Sequence, residues 1–81
     1  MAQYSIRHFT ARQVDAAGYS GKGGGAVRGA HYAIYEEGKG LVSLDGGRTV
    51  YMLTGKTGRT ALESIIQFGG FIGEVDYVDS L

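Results

Sequence analysis

Between Gly18 and Gly29, six of twelve residues are glycine (18, 21, 23, 24, 25 and 29), and almost nothing in the stretch is large enough to bury. Ordering glycine costs more backbone entropy than ordering any other residue, so such a run reads as a flexible loop at 18–29. The fold must then be assembled from the segments on either side. With 81 residues in total there is material for one core, and the expectation is a single domain over 1–81. The chain has no cysteine and no proline. That excludes a disulfide scaffold, a CxxC redox site and a cysteine-based zinc site. His8 and His31 could ligate a metal only with carboxylate help. No metal and no cofactor is therefore expected. No apolar run approaches the ~18 residues of a membrane span, and the N-terminus lacks the apolar core of a signal peptide. The expectation is a cytoplasmic protein with no membrane association, read as a whole gene product.

Tyr4-Ser-Ile-Arg-His-Phe9 alternates as a first strand. Thr10-Ala-Arg-Gln13 is a capping box that predicts a short helix running to about Ala17 and stopping at Gly18. After the glycine run, His31-Tyr-Ala-Ile-Tyr35 predicts a strand, Glu36 to Gly40 a turn, and Leu41-Val-Ser-Leu44 the next strand. Asp45-Gly46-Gly47 predicts a tight hairpin leading into Arg48–Leu53, which completes a three-strand meander. Thr60-Ala-Leu-Glu63 is a second capping box. Leu62, Ile65 and Ile66 follow on one helical face, and Gly69-Gly70 closes the helix. Glu74–Val78 reads as a last strand. The class is α+β: a small antiparallel sheet of about four to five strands with one long helix packed on one face. Leu41, Leu44, Val50, Leu62, Ile65 and Ile66 are the expected core between sheet and helix.

The net charge is zero but unevenly spread. Residues 1–35 carry four cations against Asp15, whereas residues 60–81 carry Glu63, Glu74, Asp76 and Asp79 with no lysine or arginine. A dipolar surface steers association with charged partners. Six tyrosines add a residue type that supplies large contact area at recognition surfaces. Tyr32 and Tyr35 are expected on opposite faces, one entering the core and the other not.

Motifs for chemistry are sparse. Gly55-Lys56-Thr57 looks like the end of a phosphate-cradling Walker loop, but the required earlier glycine is Val50. Gly21-Lys-Gly-Gly-Gly-Ala26 satisfies GxGxxA without the flanking strand and helix of a dinucleotide site. Gly55-Lys56-Thr57-Gly58 matches the GXXG loop with which KH domains clamp a nucleic-acid backbone. The simpler account is a strand-to-helix turn; the KH-like account keeps Gly55, Lys56, Thr57 and Gly58 as an alternative nucleic-acid-binding set. No nucleophile elbow or spaced triad is present. Glu36 and Glu37 are adjacent and would point to opposite sides if extended, which makes a poor acid–base dyad.

A Cys-free, motif-free domain with a tyrosine-bearing sheet most economically acts by binding. In size and style the chain resembles the small accessory proteins of bacteriophages, including anti-CRISPR inhibitors, a resemblance that carries over no individual residue. It implies a non-enzymatic inhibitor whose partner is a host protein or ribonucleoprotein complex with a basic surface, blocked by occlusion of its nucleic-acid-binding site. Origin in a phage or a bacterium stays open, as does a homodimer. The residues expected to meet such a surface are Glu74, Asp76, Tyr77 and Asp79, with Tyr35, Glu36 and Glu37. Three classes stand: protein inhibitor, nucleic-acid or nucleotide binder, and small enzyme.

Overall fold

The computed structural model describes residues 3–18, 30–71 and 73–81. The expected loop at 18–29 therefore lies, apart from Gly18, outside the described residues. The order of elements is β1 (Tyr4–Phe9), α1 (Ala11–Ala16), β2 (His31–Glu36), β3 (Gly40–Ser43), β4 (Met52–Thr54), α2 (Gly55–Gln67) and β5 (Asp76–Val78). The class is the expected α+β, with an antiparallel sheet in the order β1-β2-β3-β5 and β4 paired to β2. α1 begins at the capping box: the Thr10 amide donates to Gln13 Oε1 at 2.8 Å, and the Gln13 amide donates to Thr10 Oγ1 at 3.2 Å. Gly18, at φ +81°, turns the chain away after it.

β2 is the central strand. Its residue Ala33 pairs with Arg7 on one edge and Met52 on the other, and Tyr35 pairs with Ser5 and Leu41. Thus β3 and β4 lie end to end along the same edge of β2. The predicted meander does not form as a ladder: one bond, from the Tyr51 amide to the Val42 carbonyl at 2.8 Å, ties the returning segment to β3, and from Met52 onward it pairs with β2 instead. The physical cause is Asp45. Its carboxylate accepts from the amides of Arg48 (3.1 Å) and Thr49 (2.9 Å) and from the Thr49 hydroxyl (2.6 Å). The buried Ser43 hydroxyl donates to Asp45 Oδ1 and accepts from the Gly47 amide at 3.0 Å. Side chains thus satisfy backbone donors that a hairpin ladder would have used. Gly46 and Gly47 supply the positive φ values the closed loop requires.

Strand alternation splits the interior in two. On the α2 side, Ile34 and Val42 of the sheet meet Leu62 of the helix, surrounded by Ile6, Tyr32, Tyr51, Leu53, Ile65 and Ile66 among others. On the opposite face Ala33, Leu41 and Val50 pack with Phe9, Tyr35, Met52, Val78 and Leu81. Leu41 and Val50 are therefore buried as expected but on the face away from the helix. Leu62 is fully buried, whereas Ile65 and Ile66 flank it half-buried. Leu44 departs from the expectation at 53% exposure, because the strand ends at Ser43 and Leu44 already belongs to the Asp45 loop. Tyr32 and Tyr35 do face opposite ways, but each is half-buried, because both faces carry a core of their own.

α2 starts five residues before the expected capping box. Thr54 is its N-cap, and Thr60 lies inside it, donating its hydroxyl to the Lys56 carbonyl at 3.0 Å. The helix can begin so early because Gly58 lets it sit directly on β4: a Cβ at Gly58 would lie 2.8 Å from Leu53 Cβ and 2.9 Å from the Leu53 carbonyl carbon. It closes as a Schellman motif, with the Gly69 amide on the Ile66 carbonyl and the Gly70 amide on the Ile65 carbonyl, both at 2.9 Å.

Candidate functional site

The acidic segment at the end of the chain becomes β5, which pairs with β3 and forms one edge of the sheet. Leu41, Val42 and Ser43 face Val78, Tyr77 and Asp76 in register. Alternation then sends Tyr77 to the α2 face and Asp76 and Val78 to the other. Asp76 is exposed, and so are Glu74 and Asp79 on either side of the strand. Gly40 brings the β2–β3 turn hard against this edge. Its φ is +121°, and a Cβ there would stand 2.7 Å from the Val78 carbonyl oxygen. Glu37 in that turn is exposed, and its amide donates to the Gln3 carbonyl at 2.8 Å, toward β1 rather than β5.

Two residues expected at the surface instead hold the edge in place. Glu36, expected in a turn, is the last residue of β2, only 5% exposed, on the face of Ile34 and Tyr32. The Tyr77 hydroxyl donates to its Oε1 at 2.6 Å, across 41 residues of sequence. Lys39 Nζ lies 3.4 Å from Oε2 and 5.5 Å from the centre of the Tyr77 ring. The Tyr77 hydrogen bond keeps the Glu36 carboxyl below its ordinary 4.5, helped by the Lys39 charge and the Tyr4 hydroxyl and opposed by burial. In turn the Glu36 carboxylate, together with burial, pushes Tyr77 up to about 12. Tyr4 meets the other end of the same region. A Cβ on Gly70 would come 2.5 Å from its hydroxyl oxygen, so the helix cap closes on the tyrosine ring. Of the expected contact residues, Glu36 is buried and Tyr77 half-buried, each bonded to the other, as a buried carboxylate requires a partner that holds it.

The ion pair between Lys39 and Glu36 is the one salt bridge among the described residues. Arg7, one of the four cations of residues 1–35, lies 4.1 Å over the Tyr35 ring on the face away from α2. Tyr35 is covered there, half-buried. Among the described residues no ion pair neutralises Glu74, Asp76 or Asp79.

The alternative set sits elsewhere. Gly55, Lys56, Thr57 and Gly58 form the first turn of α2 directly after β4, not a loop between two helices. Lys56 and Thr57 are exposed, Gly55 takes φ +73° and Gly58 is buried against Leu53. One turn on, Arg59 lies 5.7 Å over Tyr32, whose ring also meets His8 at 5.3 Å. His31, at 6% exposure, has no hydrogen-bond partner for Nδ1 among the described residues. No three His, Asp or Glu side chains among the described residues are grouped to hold a metal ion. An open groove of about 440 Å³ between α1 and the chain end is lined by Phe9, Gln13, Ala16, Ala17, Ser80 and Leu81, with no charged or histidine side chain. Among the described residues no helix is long and apolar enough to cross a membrane. No protein-family model, curated protein or solved structure matches this chain.

Proposed function

We propose that the protein works by binding, without catalysis, through the acidic edge formed by β5, and that its partner is a host protein or ribonucleoprotein complex with a basic surface. The supporting observation is the division of labour at that edge. Tyr77 and Glu36 are turned inward and bonded to each other, which fixes β5, while Glu74, Asp76 and Asp79 are exposed. One carboxylate on a fixed strand, Asp76, with Glu74 and Asp79 flanking it, presents a row of anions like a phosphate backbone, and their field accelerates encounter with an Arg/Lys-rich groove. Occluding that groove would keep nucleic acid out. The biological setting that suits such an activity is a phage-encoded inhibitor acting in the host cytoplasm on a CRISPR–Cas or other defence complex.

The competing reading is a nucleic-acid-binding module that uses the first turn of α2. Arg59 over Tyr32 beside exposed Lys56 favours it, since cations next to an aromatic face suit a single-stranded backbone and its bases. The two readings respond oppositely to charge. Reversing Asp76 and Asp79 to Lys should slow association with a captured partner markedly at low salt and leave the unfolding midpoint nearly unchanged. Unchanged association, or binding lost only with Lys56→Asp, overturns the first reading in favour of the second.

A further inference from the structure

The two strands that end the path β1-β2-β3-β5 carry opposite charge. β1 exposes Arg7 and His8, and among the described residues no strand pairs with its outer side; β5 exposes Asp76, flanked by Glu74 and Asp79. Edge strands offer unpaired amides and carbonyls to any suitable strand, and charged side chains commonly guard them. Here the guarding is selective. Bringing β1 against the β1 of another copy offers Arg7 no carboxylate, and bringing β5 against β5 offers Asp76 no cation. Like charges directly across a ladder are destabilising, while opposite charges are favourable. Only the mixed pairing, β5 with β1, joins unlike charges.

Topology permits that pairing without reversing either copy. Each neighbour in β1-β2-β3-β5 is antiparallel, so β1 and β5 run in opposite directions at the two ends of the sheet. A second copy set beside the first in the same orientation therefore places its β1 antiparallel to β5 and continues the ladder. The faces also agree. Arg7 shares the face of Ala33, and Asp76 that of Ser43 and Leu41, both away from α2. With Asp76 opposite Arg7, Tyr77 falls opposite Ile6 on the α2 face, an aromatic against a branched aliphatic. The stacking of Arg7 on Tyr35 keeps its guanidinium on the face where Asp76 emerges.

We infer that this chain associates with a second copy of itself head to tail, β5 of one against β1 of the next, with Asp76 facing Arg7. Such a contact is heterologous, so each pair still has one free β1 and one free β5, and growth beyond two copies is built in. A basic host surface at β5 would compete with β1 of a neighbouring copy. The self-contact needs no host component, so it is measured separately from partner binding.

Sedimentation velocity on the purified chain, from micromolar to about 1 mM and at ~20 mM and ~500 mM salt, reads the contact. The expected result is a mean mass that climbs above 8.6 kDa with concentration at low salt and returns toward it at high salt. Arg7→Glu and Asp76→Arg should each weaken self-association at least tenfold, and mixing the two variants should restore it. Far-UV circular dichroism establishes that each variant is folded; should Arg7→Glu not fold, Arg7→Gln replaces it. A mass of 8.6 kDa under every condition, or association untouched by both reversals, overturns the inference. So does loss in one variant that mixing does not repair.

Discussion

Tyr77→Phe removes one oxygen atom and tests whether the Glu36–Tyr77 bond holds β5 to the sheet. The O–H···O contact is 2.6 Å long, within the range of charge-assisted bonds. Its acceptor is a carboxylate whose side chain is 7% exposed, so water cannot replace the lost donor well. Lys39 remains, but its side chain is 58% exposed and an ion pair with so solvated a partner contributes little. Losing a hydrogen bond to a buried charged group costs about 1.5–3 kcal/mol. For a domain of this size each kcal/mol moves the midpoint by about 4–8 °C, so Tm should fall by roughly 6–24 °C at pH 7. The pH dependence gives the sign. Glu36 is held below 4.5 in the fold, so the stability from its ionised form is present above that value and fades as pH falls through the folded pKa. Tyr77 is raised from 10 to about 12, so its contribution is complete below pH 10 and is lost as pH climbs toward 12. The gap between wild type and Tyr77→Phe, followed by thermal melts, should therefore be widest in the neutral range and narrow at both ends. A gap below about 0.5 kcal/mol, or one that does not change between pH 3 and 7, would refute this reasoning.

Gly58→Ala places a methyl against the Leu53 backbone; the gain in helix propensity does not offset the overpacking, and chemical denaturation should show a net loss on the order of 1–2 kcal/mol. Leu62→Ala, at a fully buried site, should cost about 2–5 kcal/mol, and Ile65→Ala, half-buried beside it, about 2 kcal/mol or less by the same denaturation measurement. Asp45→Ala should open the loop between β3 and β4, seen as faster amide exchange at Arg48 and Thr49 and a lower midpoint. Because the bonds from Thr49 and Ser43 hold the Asp45 carboxyl well below its usual range, the wild-type loop should stay protected down to acid pH. Fast exchange at Thr49 in the wild type at pH 5 would contradict that.

Most of the fold was legible because its signals are local. The Thr10–Gln13 capping box, the alternation in Tyr4–Phe9 and the Gly69-Gly70 closure each depend on neighbours within a few residues, and the structure has all three. What was not legible depended on distant or side-chain partners. The Asp-Gly-Gly sequence reads as a hairpin, and nothing in the spacing shows that Asp45 will capture Thr49 and send the chain back to β2. Gly58 reads as a helix interruption until Leu53 is known to pass beneath it. Glu36 is the instructive case at the site. Extending the alternation of Tyr32 and Ile34 by one step places it on the same face, which already marks it as an inward carboxylate in need of a donor. Only the pairing of β3 with β5 reveals that the donor is Tyr77.

A working surface made of the carboxylates on and beside β5 is tested by capture from a bacterial lysate treated with RNase and DNase, run in parallel with wild type, the Asp76→Lys/Asp79→Lys double variant and Lys56→Asp. The expected result is a protein partner that survives nuclease treatment, is retained by Lys56→Asp and is lost by the double reversal while that variant stays folded. Capture that disappears with nuclease, or that the double reversal leaves intact, contradicts it.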